Sequence, residues 1–369
     1  MNKEKKLVGG IIGRTGRGAY GHKLDLGFYR SESIKIGAVA DENSSGLREA
    51  MNRLNCQNGY SDWRKMIFEE SLDFVVVAPR FVDCHEEMVI TCLEADLHVY
   101  CEKPLAQDLA QADRMVAAAA ARGLVLGNAL PWRIEPRLNQ VRKIIRDGNI
   151  GAIKHVSAEC KCDKRGGGED FLILGLHFAD LMREFLGNAV STQSLITNGG
   201  ILTAAHNITE GGEEIGLIAG DSILATWFFE TGTTATLKSV NYDIIDRTKQ
   251  PYQITFHGTK GCIIVRAPYA DHCIHLGDTP FPIPGITKMQ KISAVEMLSY
   301  DEYHKLMAED FAKAIFSGSK SICSGSDGRS ALEMIHSAYV SHFFANGGRV
   351  TLPLKERSHP LAKAKELVL

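Results

Sequence analysis

Short apolar runs, each closed by a turn residue, recur through the first third of the chain. They fall at residues 7–13, 33–40 (Ile34, Ile36, Val39), 72–78 and 124–128, and each reads as a buried parallel strand. Residues 97–105 (Leu-His-Val-Tyr-Cys-Glu-Lys-Pro-Leu) make another strand, which stops at a charged pair and a proline. Proline has no N–H for the ladder, so the chain turns at Lys103-Pro104, the carboxyl end of the strand. Between the runs the period changes to that of a helix. Residues 82–94 fit it, and so do 107–122, where Leu109, Ala112, Met115, Val116 and Ala119 share one stripe and Gly123 ends the helix. Strands and helices that alternate over 128 residues predict an α/β, doubly wound, mostly parallel sheet.

The pattern changes after a linker at 131–136. Residues 137–147 form an amphipathic helix through Leu138, Val141, Ile144 and Ile145. Beyond Gly148, segments 152–160, 190–197, 222–230, 233–240, 252–257 and 261–266 alternate or carry β-branched residues, with turns at Thr231-Gly232 and Gly258-Thr259-Lys260-Gly261. Helices are expected at about 174–186, 303–317 and 328–345. This part reads as an α+β domain with a large, mostly antiparallel, open sheet. The division expected is 1–128 and 129–369, and a chain of 369 residues is long enough for two cores.

Composition narrows the classes. With 44% hydrophobic and 23% charged residues the chain reads as a soluble globular protein. A net charge of −2 gives no reason to expect nucleic acid or an anionic membrane as partner. The charged start, Met1 to Lys6, leads into too short an apolar run for a signal peptide, and no apolar run is long enough to span a bilayer. Nine scattered cysteines suggest reduced thiols in a cytoplasm. Neither Cys160-Lys161-Cys162 nor His272-Cys273-Ile274-His275 has the spacing that brings two ligands onto one ion, so no metal is expected.

Candidate chemistry sits at the strand ends. Gly13-Arg14-Thr15-Gly16-Arg17-Gly18 allows a tight turn and lets backbone N–H groups approach a pyrophosphate at the start of the next helix. The dinucleotide fingerprint wants glycine at 13, 15 and 18, and position 15 is Thr15. Asp41 closes the second strand 23 residues past Gly18, where an acid holds the adenosine ribose hydroxyls and repels a 2′-phosphate. The cofactor expected is therefore NAD rather than NADP. Glu102-Lys103 lies at the carboxyl end of its strand, where open α/β sheets bind ligands, and is expected to face a crevice.

The sequence resembles the Gfo/Idh/MocA family of oxidoreductases nearly end to end. The likeness rests on the glycine turn, Pro79 followed by His85, Glu102-Lys103-Pro104, Arg133 with Pro136, and Gly166-Gly167-Gly168. It continues in Gly175-Leu176-His177 with Asp180, in Gly258-Thr259-Lys260-Gly261, and in the tail from Gly325 to Glu333. The resemblance implies an N-terminal Rossmann domain, a substrate-binding and oligomerisation domain, and an NAD(P)-dependent dehydrogenase of sugars or cyclitols that assembles as a homo-dimer or homo-tetramer. It implies cofactor contacts from Gly13, Arg14, Thr15, Gly16, Gly18, Asp41, Pro79, Glu102, Lys103 and Arg133. Lys103 and His177 would be catalytic, and the proline after Lys103 typically cis. Oxidising a secondary alcohol needs a hydride acceptor, a proton acceptor and a positive charge for the alkoxide. Lys103 could supply the charge and His177 the base, since a histidine's ordinary pKa lies near neutrality. Arg133 equally suits a structural ion pair, and His85 a structural role beside the nicotinamide.

One departure stands out. Many members carry an aspartate four residues before the histidine, and here that residue is Ile173. Glu169 and Asp170 lie just upstream; a continuous helix would set Asp170 roughly 10 Å along the axis from His177, lining the same pocket. Asp170 is thus a third catalytic candidate, and Lys161, Asp163, Glu169 and Asp170 join Lys103 and His177 as substrate-binding candidates. Lys164 and Arg165, in the same polar loop, could also bind hydroxyls. The leading function is NAD-dependent oxidation of a secondary hydroxyl of a sugar, glycoside or cyclitol. Two alternatives are a redox-cycling enzyme that cleaves or isomerises glycosides through a transient keto-sugar, and a catalytically silent NAD-binding regulator.

Overall fold

The computed structural model describes residues 6–212, 215–266, 272–277, 280–283, 285–287, 289–292 and 298–367. The charged start at 1–5 lies outside them. The chain forms two compact units. One comprises Met1–Ile134, Glu213–Ile215 and Leu298–Ser330; the other comprises Glu135–Gly212, Gly216–Met297 and Ala331–Leu369.

In chain order the first unit contains β1 (Leu7–Ile12), α1 (Leu24–Tyr29), β2 (Ile34–Ala40), α2 (Ser44–Arg53), β3 (Gly59–Tyr60), α3 (Trp63–Glu69), β4 (Phe74–Val77), α4 (His85–Glu94), β5 (His98–Cys101), α5 (Leu109–Arg122) and β6 (Leu126–Asn128). The second contains α6 (Pro136–Arg146), β7 (Ile153–Glu159), α7 (Gly168–Ile173), α8 (Gly175–Leu186), β8 (Ala189–Asn198), β9 (Ile201–Leu202), β10 (Thr209–Glu210), β11 (Leu217–Ile218), β12 (Ser222–Phe229), β13 (Thr234–Val240), β14 (Gln253–Gly258), β15 (Gly261–Arg266), β16 (Cys273–Leu276) and β17 (Gln290–Lys291). Then α9 (Tyr300–Ser317) returns to the first unit, and α10 (Gly325–Phe344), β18 (Val350–Thr351) and α11 (Pro360–Glu366) follow.

The first sheet has the order β3-β2-β1-β4-β5-β6, and every pairing in it is parallel. Side chains alternate between its faces, as the strand repeat dictates. On one face Val75, Val77, Val99 and Cys101 pack with Met66 of α3, Val89 and Cys92 of α4, and Met115 of α5. On the other, Phe74 and Tyr100 meet Phe28 of α1 and Phe311 of α9, with ring centroids 4.9–5.9 Å apart. Gly9 makes room for this cluster, since a Cβ there would lie 2.2 Å from the Phe74 ring. The helix read at 303–317 thus forms, as α9, and closes a face of the first sheet.

The second sheet has ten strands, in the order β17-β16-β15-β14-β7-β13-β12-β8-β18, with β9 added to β8. All its pairings are antiparallel except β13 with β7. On β12, Ile223, Ala225, Trp227 and Phe229 are buried while Leu224 is exposed, so one face carries the core. Trp227 anchors it, its indole N–H donating to the Met334 carbonyl of α10.

Candidate active site

In the first unit the glycine turn closes on itself. Arg14 and Ala19 exchange both backbone hydrogen bonds, and Gly13 N–H donates to the Ala40 carbonyl. Each glycine has its own reason. A Cβ at Gly13 would fall 2.3 Å from the Tyr20 ring, and one at Gly18 2.5 Å from the Arg80 nitrogen. Gly16, at φ +87°, has nothing within 4 Å of the place its Cβ would take, so the turn is open there. The expected helix does not follow at once. Lys23 is left-handed, and α1 starts only at Leu24 and runs six residues. The turn's own backbone, rather than a helix terminus, is what this structure offers to phosphates.

Asp41 braces that turn. Its buried carboxylate accepts from Thr15 N–H (3.1 Å), the Thr15 hydroxyl (2.7 Å) and Asn43 N–H (2.9 Å). Thr15, at the position where the fingerprint wants glycine, is therefore the acid's anchor. Gly46 leaves the space, since a Cβ on it would overlap the Thr15 hydroxyl. Beside the turn lies a cavity of about 410 Å³, lined by Gly13, Arg14, Asp41, Glu42, Trp63, Arg64 and Met88 among others. Its lining carries five carboxylates (Asp41, Glu42, Asp62, Asp83, Glu87) against Arg14 and Arg64. Arg14 pairs with Asp83 at 3.2 Å, and Arg64 with Glu87. The open turn at Gly16 and this cavity suit a dinucleotide.

The Glu102-Lys103 pair is buried rather than open to solvent, at 1% and 7% exposure. Glu102 accepts from His22 Nδ1 at 2.7 Å. Burial pushes its carboxyl up, but the charge and hydrogen bond of His22, with Lys103 beside it, outweigh this, and it sits below the usual glutamate value. Asn128 at the end of β6 donates its amide to the Cys101 (3.1 Å) and Glu102 (3.3 Å) carbonyls and so fixes the strand end that presents Lys103. The Lys103–Pro104 peptide is cis. His85 joins the two proline turns, Nε2 lying 2.7 Å from the Pro79 carbonyl and Nδ1 2.8 Å from that of Pro104. Arg133 pairs with Asp327 at 3.4 Å and donates to the Ile322 carbonyl, both within the first unit.

In the second unit the three glycines pack rather than flex. Cβ atoms at Gly166, Gly167 and Gly168 would strike Val240, Gly220 and Ala219. This close approach seats α7 against the end of β13. The helix breaks at Leu174, so no continuous helix joins Asp170 to His177. Asp170 is fully buried, and among the described residues neither of its carboxylate oxygens has a hydrogen-bond partner. Arg165 Nε stands 3.9 Å off. Burial, aided by Asp163 and opposed by Arg165 and Lys161, raises its pKa to about 6. Asp163 pairs with Arg165 at 3.1 Å, and Lys161, its pKa lowered by burial, lies 5.2 Å from the Tyr252 ring centre. Lys161, Asp163 and Asp170 thus form one cluster, to which the structure adds Arg165. Glu169 is engaged elsewhere, accepting from Gly212 N–H at 3.2 Å. His177 is buried in the first turn of α8, and Ile173 is buried as apolar core.

Two family models divide the chain. "Oxidoreductase family, NAD-binding Rossmann fold" matches residues 8–130, and "Oxidoreductase family, C-terminal alpha/beta domain" matches 142–352. The chain belongs to the Gfo/Idh/MocA oxidoreductase family. Myo-inositol 2-dehydrogenase of Thermotoga maritima is 26% identical over 340 residues, covering 86% of this chain and 93% of its own. D-apiose dehydrogenase of Paraburkholderia graminis is 29% identical over 197 residues, 51% of this chain and 50% of its own. Among solved structures, levoglucosan dehydrogenase in complex with NADH and levoglucosan shares the fold, with a TM-score of 0.76 at 19% identity over 95% of this chain and 100% of its own. The Gfo/Idh/MocA motifs fall where the site has just been described: Glu102-Lys103-Pro104 ends β5, and Gly-x-His opens α8. Sequence reading missed His22, Asn128 and Tyr20. Only Asn128, a polar residue closing an apolar strand, left a trace in the local pattern.

Proposed function

We propose that this protein is an NAD-dependent dehydrogenase that oxidises a secondary hydroxyl of a sugar, glycoside or cyclitol. The observation that carries the reading is the buried Lys103, held at the carboxyl end of β5 by Asn128 and the Pro104 turn, in a unit whose glycine turn and acid-lined cavity suit a dinucleotide. Residues 1–128 hold the dinucleotide in this reading, and 129–369 the substrate. When bound, NAD supplies the hydride acceptor. Lys103 steadies negative charge on the substrate oxygen, where low dielectric magnifies its effect. His177 accepts the hydroxyl proton. Asp170, with a pKa of about 6, exchanges a proton near neutrality and stands beside Lys161 and Arg165, which suit hydroxyl recognition. The carboxylates around Arg14 favour NAD over NADP. Leu195 and Leu224, paired across β8 and β12 and both exposed, support a homo-oligomer built on the open sheet face.

The relatives' names direct the test. Purified protein given NAD with myo-inositol, levoglucosan or D-apiose should produce NADH from at least one. Silence across these and a wider set of sugars and cyclitols would contradict the reading.

A further inference from the structure

Glu102 is an unusual group to bury. Its carboxylate is 1% exposed, and only Oε1 has a hydrogen-bond partner among the described residues, His22 Nδ1 at 2.7 Å. Oε2 lies against Gly21, where a Cβ would come within 2.9 Å of it. Gly21, at φ +62°, is therefore the residue that lets the His22 turn close over the carboxylate. An ionised carboxylate only accepts, so Nδ1 carries the proton in this bond. The His22 side chain is 29% exposed and reaches from the surface to the buried acid.

We propose that His22 is a positioning residue for Lys103: it holds Glu102 as a buried anion beside the lysine and so sets the charge of the strand end that presents it. This rests on the reading above that places Lys103 in the active site. An uncompensated buried carboxylate would take up a proton, because burial disfavours its charged form. The charged and titratable groups that act most strongly on Glu102 fit the assignment. Lys103 is its chain neighbour, and His304 faces it from α9. Burial drives the pKa of His304 down to about 4, which leaves that ring neutral. Tyr100 and Cys101 on β5 are pushed far up by burial and stay neutral too. Of the histidines near Glu102, His22 is thus the one placed to supply both a donor and contact with solvent. Lys23 and Asp301 lie further out, where they act on His304.

The test reads Glu102 directly in the full-length protein and needs no substrate. Infrared difference spectra of wild type against Glu102→Gln report the protonated-carboxyl band as pH falls. With His22→Ala that band should emerge at least about one pH unit higher than in wild type. His22→Gln, which keeps an N–H donor, should bring the titration back toward wild type. A Glu102 titration identical in wild type and His22→Ala would overturn the proposal. Should His22→Ala fail to fold, histidine 15N spectra of wild type against His22→Gln decide: a protonated Nδ1 on the resonance that disappears supports the pair, and a bare Nδ1 overturns it. Lys103→Met separates the two claims. If it abolishes NADH production while Glu102 titrates independently of His22, only this inference fails. If it leaves NADH production intact, the placement of Lys103 fails, and the purpose assigned to the pair with it.

Discussion

At the scale of single residues, the partner that a buried carboxylate finds decides its chemistry. Asp170 and Glu102 are both buried carboxylates, yet their pKa values move in opposite directions. Glu102 has a donor at 2.7 Å, and Asp170 has an arginine only at 3.9 Å. The consequence for Asp170 is a stability effect. Its folded pKa of about 6 lies above the ordinary 3.8, so between those values the folded state binds the proton and the unfolded chain does not. Stability then falls as pH rises through that window, by up to about 3 kcal/mol. Asp170→Asn should remove the fall, and urea midpoints at about pH 4 and about pH 8 measure it. If Asp170 also exchanges the substrate proton, the same variant loses about 10²-fold in kcat. None of this was legible beforehand: the sequence shows Asp170 seven residues from His177 but not the break at Leu174 that ends the helical spacing. Ile173 was legible as the departure, and the structure buries it as apolar core.

At the scale of elements, the strands and longer helices follow from periodicity, and the turns follow from contacts that periodicity does not contain. The glycine turn was readable as a turn, but what each glycine does was not. The different surroundings of Gly16 and Gly18 give a graded prediction. Gly16→Ala meets no neighbour and costs only the left-handed backbone, about 1–2 kcal/mol. Gly18→Ala meets that cost and the Arg80 and Phe81 backbone as well, so it should destabilise more in thermal or urea unfolding. Thr15→Val tests the brace. It removes the hydroxyl that donates to buried Asp41, at a cost of about 1–3 kcal/mol, and should weaken NAD binding measured by calorimetry. In the proposed reading the cavity beside this turn sets cofactor choice. With five carboxylates around two arginines, kcat/KM should favour NAD over NADP by at least about tenfold, a preference that parity between the two would refute.

At the scale of the whole molecule, the two architectures were legible because strand–helix alternation and strand-rich alternation are different grammars. The destination of α9 was not. Its sequence marks a helix, but only the three-dimensional cluster of Phe311 with Phe28, Phe74 and Tyr100 shows that it completes the first unit. Such a contact joins residues nearly three hundred positions apart, and no local pattern encodes it. The same holds for Asn128, which Gly328 admits beside the Lys103 strand end, since a Cβ on Gly328 would lie 2.3 Å from the Asn128 amide oxygen. Everything brought to that strand end serves one account, in which Lys103 is the charge that makes hydride removal from a sugar or cyclitol feasible. The direct measurement is NADH formation by wild type and Lys103→Met, each first shown to be folded and to bind NADH, on the polyol that wild type oxidises best. The account predicts that Lys103→Met binds NADH as wild type does and loses turnover by at least about 10³-fold. Turnover within a few-fold of wild type would contradict it.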